Sequence, residues 1–157
     1  MTAVTLDQAE RIIDAIIARG AALNCRPLSV IVVEPGCKVK AFKKEDGASM
    51  IRFEMAYGKA YAALSLGRSS KLVSRADAGA TDLHALSHCR ERRSDLSRRR
   101  MLIRDSGGEV IGAVGVTGDT EDRDEELAVH GIHAAGLKTD ADCIGMGRRV
   151  GLPPKTT

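Results

Sequence analysis

A chain of 157 residues with four scattered cysteines is long enough for one domain with its own core, with no need for disulfides or a structural metal. Its formal charge of +3 is a local effect: residues 90–100 carry six Arg against Glu91 and Asp95, a net +4, which leaves the remainder at −1 and argues against a nucleic-acid-binding domain. There is no Trp, and Phe42, Phe53, Tyr57 and Tyr61 are the whole aromatic set, so the core is aliphatic and a pocket stacking flat bases is poorly supported.

In chain order, Thr5 and Gln8 fit a capping box. Leu6, Ala9, Ile12, Ile13, Ile16 and Ile17 then follow at helical spacing as one buried face. That helix should end between Gly20 and Asn24, and Pro27 forces an extended chain. Residues 28–34 read as a buried strand, Pro35 to Lys38 as a turn, and residues 39–44 as its hairpin partner. After a turn at Asp46 to Ala48, Ser49 is placed to cap a second helix to about Leu66. Its expected apolar face is Met50, Phe53, Tyr57, Ala60, Tyr61 and Leu64, with Gly58 mid-helix.

From Gly67 to Asp82 the pattern gives short helical pieces, and residues 83–100 are hard to place. Residues 101–104 read as a strand, and Asp105 to Gly108 as a hairpin turn into the stretch Val110 to Asp119. That stretch begins as a strand and ends as a turn launching a helix over about 121–135, with Asp119 as its expected N-cap and Gly136 as its C-terminal stop. Gly112 and Gly115 fall where a second backbone or a ligand comes close. Residues 138–157 show no periodicity and read as a loose, irregular tail. The order predicts an α+β fold with an antiparallel sheet and helices packed on it. The scattered thiols and the amphipathic start predict a cytoplasmic protein, and no apolar run is long enough to span a membrane.

Three runs resemble one family: residues 32–48 (VVEPGCKVKAFKKEDGA), 53–60 (FEMAYGKA) and 103–119 (IRDSGGEVIGAVGVTGD). With Asp124, Glu125 and residues 128–137 they are similar to the first hairpin, second helix, closing hairpin and last helix of the GlcG/HbpS-like proteins, the DUF336 or "haem-degrading domain" family. The resemblance implies a profilin-like, PAS-like antiparallel sheet flanked by helices, in a single domain over residues 1–137 that assembles into homo-oligomers. It also implies haem as a candidate cofactor, since some members bind it. A related domain is appended to corrinoid adenosyltransferases, and many members have no proven activity of their own.

Two departures stand out. The family's hairpin often reads Gly-Gly-His where this chain has Gly36-Cys37-Lys38. Residues 84–100 are atypical, with Ser97-Arg98-Arg99-Arg100 where the family has a short strand and Pro-x-Gly-Gly. A local frame shift, compensated before Met101, is the expectation for this run: codons TCC CGT CGG CGG would encode Ser-Arg-Arg-Arg, and read one base later they would contain CCC GTC GGC GG, which encodes Pro-Val-Gly-Gly.

The candidate binding residues are Arg52, Glu54, Lys59, Thr117 and Gly118. Arg52 and Lys59 are suited to the carboxylates of a small acid or of haem. Thr117 and Gly118 offer a hydroxyl and backbone N–H groups at a helix start. Axial candidates His130 and His133 sit three apart on the last helix, and His84 and His88 four apart before the Arg run; surface or core roles weigh more for each, and no metal site is assigned. No G-x-S-x-G, H-E-x-x-H or Walker motif is present. The reading is a binding protein for haem or another small-molecule ligand, with no nucleic-acid or membrane partner. The alternative is an enzyme, or a subunit accessory to one, that acts on a small carboxylated catabolite, with Arg52 or Lys59 holding the acid and Glu54 accepting a proton.

Overall fold

The structure is a computed structural model that describes residues 2–67 and 101–143. The expected short helices after Gly67, the atypical run 84–100 with its frame-shift reading, His84 and His88, and residues 144–157 lie outside the described residues. Helix α1 (Leu6–Ala22) starts on the predicted capping box: Thr5 Oγ1 accepts from Gln8 N at 3.2 Å, and Gln8 Oε1 accepts from Thr5 N at 3.0 Å. Strands β1 (Ser29–Val33) and β2 (Val39–Lys44) form the first hairpin, followed by α2 (Arg52–Gly67). Strands β3 (Leu102–Arg104) and β4 (Val110–Thr117) form the closing hairpin, and α3 (Glu121–Ala134) follows. All pairings are antiparallel, in the order β2-β1-β4-β3.

The central strands β1 and β4 are buried along almost their whole length, because both sheet faces are covered. On one face Ile12, Ile13 and Ile16 of α1 and Leu127, Ala128 and Ile132 of α3 pack on Val30, Val32, Val114 and Val116. On the other, Ala56, Ala60, Ala63 and Leu64 of α2 pack on Ile31, Val33, Leu102 and Ala113. A bulge in β4 lets Ile103 pair with Gly112 and Arg104 with Val110, so Ile111 is the extra residue. Ile111 turns into the α1/α3 core, and its carbonyl accepts from Val4 N at 2.8 Å.

Four expectations change in detail. Helix α2 begins at Arg52, whose N–H donates to Ser49 O, three residues after the expected cap. Its buried face is the alanine series, not the aromatic one: Met50 is 92% exposed and Phe53 37%. Larger side chains would not fit, since a Cβ on Gly115 of β4 would stand 2.0 Å from Ala56 O, and the helix backbone lies directly on the strand. In α1, Leu6, expected in the buried stripe, is 54% exposed. The N-cap of α3 is Thr120, with Arg123 N donating to its hydroxyl, and Asp119 instead ties the turn to the loop before β1 by accepting from Arg26 N at 2.9 Å.

Residues 138–143, assigned by the sequence to a loose tail, are held in place. Lys138 and Arg104 exchange backbone hydrogen bonds along the outer edge of β3. Asp142, in a single 3-10 turn (Ala141–Cys143), accepts from Thr139 N at 2.7 Å, Thr139 Oγ1 at 2.9 Å and the His133 ring at 2.7 Å. Gly136 ends α3 with φ +74°, as its composition predicts.

Candidate functional site around the start of helix α2

Seven residues make nearly two turns, so Arg52 and Lys59 share one flank of α2, the flank over β4. Arg52 Nη1 donates to Thr117 Oγ1 at 3.1 Å. Lys59 Nζ donates to Val116 O at 2.7 Å and to Asp124 Oδ2 at 2.9 Å. Val116 faces the α1/α3 core while α2 lies on the opposite face, so Lys59 reaches round the edge of β4 to join α2 to α3. Asp124 is buried at 6% exposure, and its other oxygen accepts from Asp119 N at 3.2 Å. Burial pushes the Asp124 carboxyl up, and the Lys59 ammonium only partly offsets this. Backbone N–H donors from Arg26 and Thr120 hold Asp119 below the usual carboxylate range.

Three of the five candidates thus meet at one end of β4, where much of their hydrogen-bonding capacity is used by the fold. Thr117 is 2% exposed and engaged by Arg52; Lys59 serves Asp124 and Val116. Gly118 adopts φ +150° and packs on the loop before β1, since a Cβ there would stand 2.4 Å from Pro27 O. Glu54 lies exposed on α2, away from this cluster. Arg52 differs from the others because its Nε is buried with no hydrogen-bond partner among the described residues. The second such atom is Ser29 Oγ, and Ser29 pairs with Thr117 across β1 and β4. Nothing in the sequence marks Ser29, which reads as one polar residue in an apolar strand.

The other flank of α2 carries Phe53, Tyr57 and Tyr61, four residues apart. Phe53 meets Phe42 of β2 edge to face at 5.0 Å, stacks over Tyr57 at 6.0 Å, and Tyr57 continues to Tyr61 at 6.1 Å. All four aromatic residues of the chain form one row, and scarcity in the composition conceals this local concentration. Tyr57 Oη donates to Cys37 O at 2.9 Å, at a hairpin turn where Cys37 has φ +60°; burial pushes the Tyr57 phenol up. Around this row the surface is apolar: among the described residues, the exposed large hydrophobic side chains other than Leu6 (Val39, Met50, Ile51, Phe53 and Met55) lie on β2 or at the start of α2. His130 is exposed on α3, and His133 is engaged by Asp142. Among the described residues no three His, Cys, Asp or Glu side chains converge as a metal site, and no helix is long and apolar enough to cross a membrane.

The fold recurs in solved structures. Klebsiella pneumoniae protein ORFY, of family DUF336, matches with TM-score 0.61 at 22% identity, over 87% of this chain and 92% of that one. The haem complex of PduOC matches with TM-score 0.64 at 19% identity, over 88% and 99%. A double mutant of Streptomyces reticuli HbpS matches with TM-score 0.58 at 23% identity, over 85% and 87%. No curated protein sequence matches the chain. The model of the family described as haem degrading protein HbpS-like matches residues 4–133, and the chain belongs to that family.

Proposed function

We propose that this protein binds haem or a related amphipathic carboxylate ligand, as a cytoplasmic homo-oligomer with the ligand held between subunits. The observation that carries the binding reading is the cluster of exposed apolar side chains around Arg52: Met50, Ile51, Phe53 and Met55 all face solvent at the start of one helix. Exposed patches of this kind mark binding surfaces in soluble domains. A cation with spare donors inside an apolar surface suits a ligand that is apolar with an acidic edge. The residues present fit haem in this sense, since Arg52 Nε is an orphaned donor and the aromatic row adds apolar ring surface on the same helix. When bound, haem would supply an iron centre for ligand or electron chemistry. The haem complex among the similar structures supports the same reading.

The enzyme alternative has less support. Of its two acid-holding candidates, Lys59 is occupied by Asp124, which leaves Arg52, and its proposed base Glu54 does not join the Arg52–Thr117 cluster. The test is a hemin titration followed in the Soret band. One-to-one saturation with a shifted band is the expected result, and a spectrum that stays that of free hemin would sink the proposal.

A further inference from the structure

We infer that the aromatic row Phe42–Phe53–Tyr57, with Lys44 beside it, is the seat for a planar, apolar, anionic ring, and that Lys44 meets its acidic edge; this rests on the haem-type reading above and places that ligand. Two properties of the row define its occupant. First, the row opens to solvent at Phe53, which is 37% exposed, with Phe42 and Tyr57 half-buried beside it and Val39 on the same sheet face 47% exposed. With Phe42 edge-on to Phe53 at 5.0 Å and Tyr57 stacked on it at 6.0 Å, the row offers apolar ring area at little cost in side-chain entropy.

Second, a lysine stands on the same face of the sheet as the rings. Phe42 pairs with Ile31, and Lys44 with Ser29. Ile31 packs against α2, and side chains two apart on a strand share a face, so Phe42 and Lys44 both stand on the α2 face. Lys43, on the opposite face, pairs with Asp14 of α1. Lys40 is held by Glu34, whereas Lys44 has no ion pair among the described residues. Lys44 also ends the cross-strand row Thr117–Ser29–Lys44, whose other end bears the Arg52 bond. The two cations therefore flank the start of α2 from either side, an arrangement suited to a ring with two carboxylates. A second copy paired through β2 would set lysines of one strand against those of the other, which is unfavourable.

The experiment is a hemin titration of the full chain and of Phe53→Ala, Phe53→Leu and Lys44→Glu, with Arg11→Ala on the exposed face of α1 as control. Far-ultraviolet circular dichroism and a melt establish folding, and sedimentation reads the oligomeric state. Phe53→Ala should weaken hemin about tenfold and Phe53→Leu by less, because Leu keeps apolar bulk without the ring. Lys44→Glu should weaken hemin by a similar factor, about tenfold, yet leave protoporphyrin dimethyl ester unaffected. Lys44 is exposed, so this variant keeps the test alive if Phe53→Ala fails to fold. Wild-type affinity in both Phe53→Ala and Lys44→Glu overturns the seat and leaves the haem reading standing. A changed sedimentation coefficient with unchanged hemin affinity assigns the surface to a second copy and also overturns it. Failure of the unmodified chain to saturate with hemin overturns both.

Discussion

The two faces of the sheet are built on opposite principles. Under α1 and α3 the core is thick and branched, with Ile12, Ile13, Ile16, Leu127 and Ile132 on a row of valines. Under α2 it is thin: Ala56, Ala60 and Ala63 bring the helix backbone down onto Gly115. Branched side chains fill volume, so that face is sensitive to what is removed. Small residues permit close approach, so the α2 face is sensitive to what is added. The thin face also displaces the larger side chains of α2 outward, which is why the aromatic row and the apolar cluster sit at the surface and not in the core.

The contrast is tested most strongly by Gly115→Val. Its Cβ would overlap Ala56 O, and the variant should lose about 4 kcal/mol or fail to fold, as read by the thermal melt. On the thick face, Ile132→Ala should cost about 3 kcal/mol in chemical denaturation. Ala60→Gly on the thin face removes one methyl group from a helix and should cost only about 1 kcal/mol by the same measurement. Equal losses for those two variants would erase the distinction.

The Lys59–Asp124 link joins the two faces and gives a smaller effect. Lys59→Met strands a buried carboxylate, but the lysine is 41% exposed, so the loss at neutral pH should be about 2 kcal/mol, below that of a fully buried pair. The sign with pH follows from Asp124. Burial already raises its folded pKa above the unfolded value, and removing the ammonium raises it further. The penalty then applies above that pKa and fades as the carboxyl protonates, so the variant should recover stability relative to wild type on acidification, checked by melts across pH 4 to 8. The smallest effect is at Asp142, whose folded pKa is lowered to about 2 by Thr139 N–H and the His133 ring. Its contribution is present above the unfolded carboxylate value and lost as pH falls toward 2. The Thr139 amide proton should report that titration by NMR, and Asp142→Asn should abolish it.

Much of the fold is legible in local chemistry. The Thr5–Gln8 box, the turn before Val110 and Gly136 are short-range signals, and the structure places each where its residues predict. The face of α2 was not legible, because a hydrophobic stripe favours the largest side chains while the sheet here accepts only the smallest. Arg52, Lys59 and Thr117 were identifiable as polar residues with suitable chemistry. Their convergence was not, since it depends on which flank of α2 meets the end of β4 and on Asp124 from a helix on the other side of the sheet. The row Phe42–Phe53–Tyr57–Tyr61 was hidden for a different reason: a low aromatic count says nothing about where the few rings gather.

The pairing of Ser29 with Thr117, where the two central strands meet at their ends, has a kinetic consequence. Closing that contact brackets about 90 residues of intervening chain, so it should form late, after the local hairpin of β1 and β2. The entropy of such a closure grows only with the logarithm of its length, and ten further residues inside it would add about 0.1 kcal/mol. The number of residues between α2 and β3 therefore weighs little in the cost of closing the sheet. The register of the central strand pair is set instead by the residues of β1 and β4 themselves.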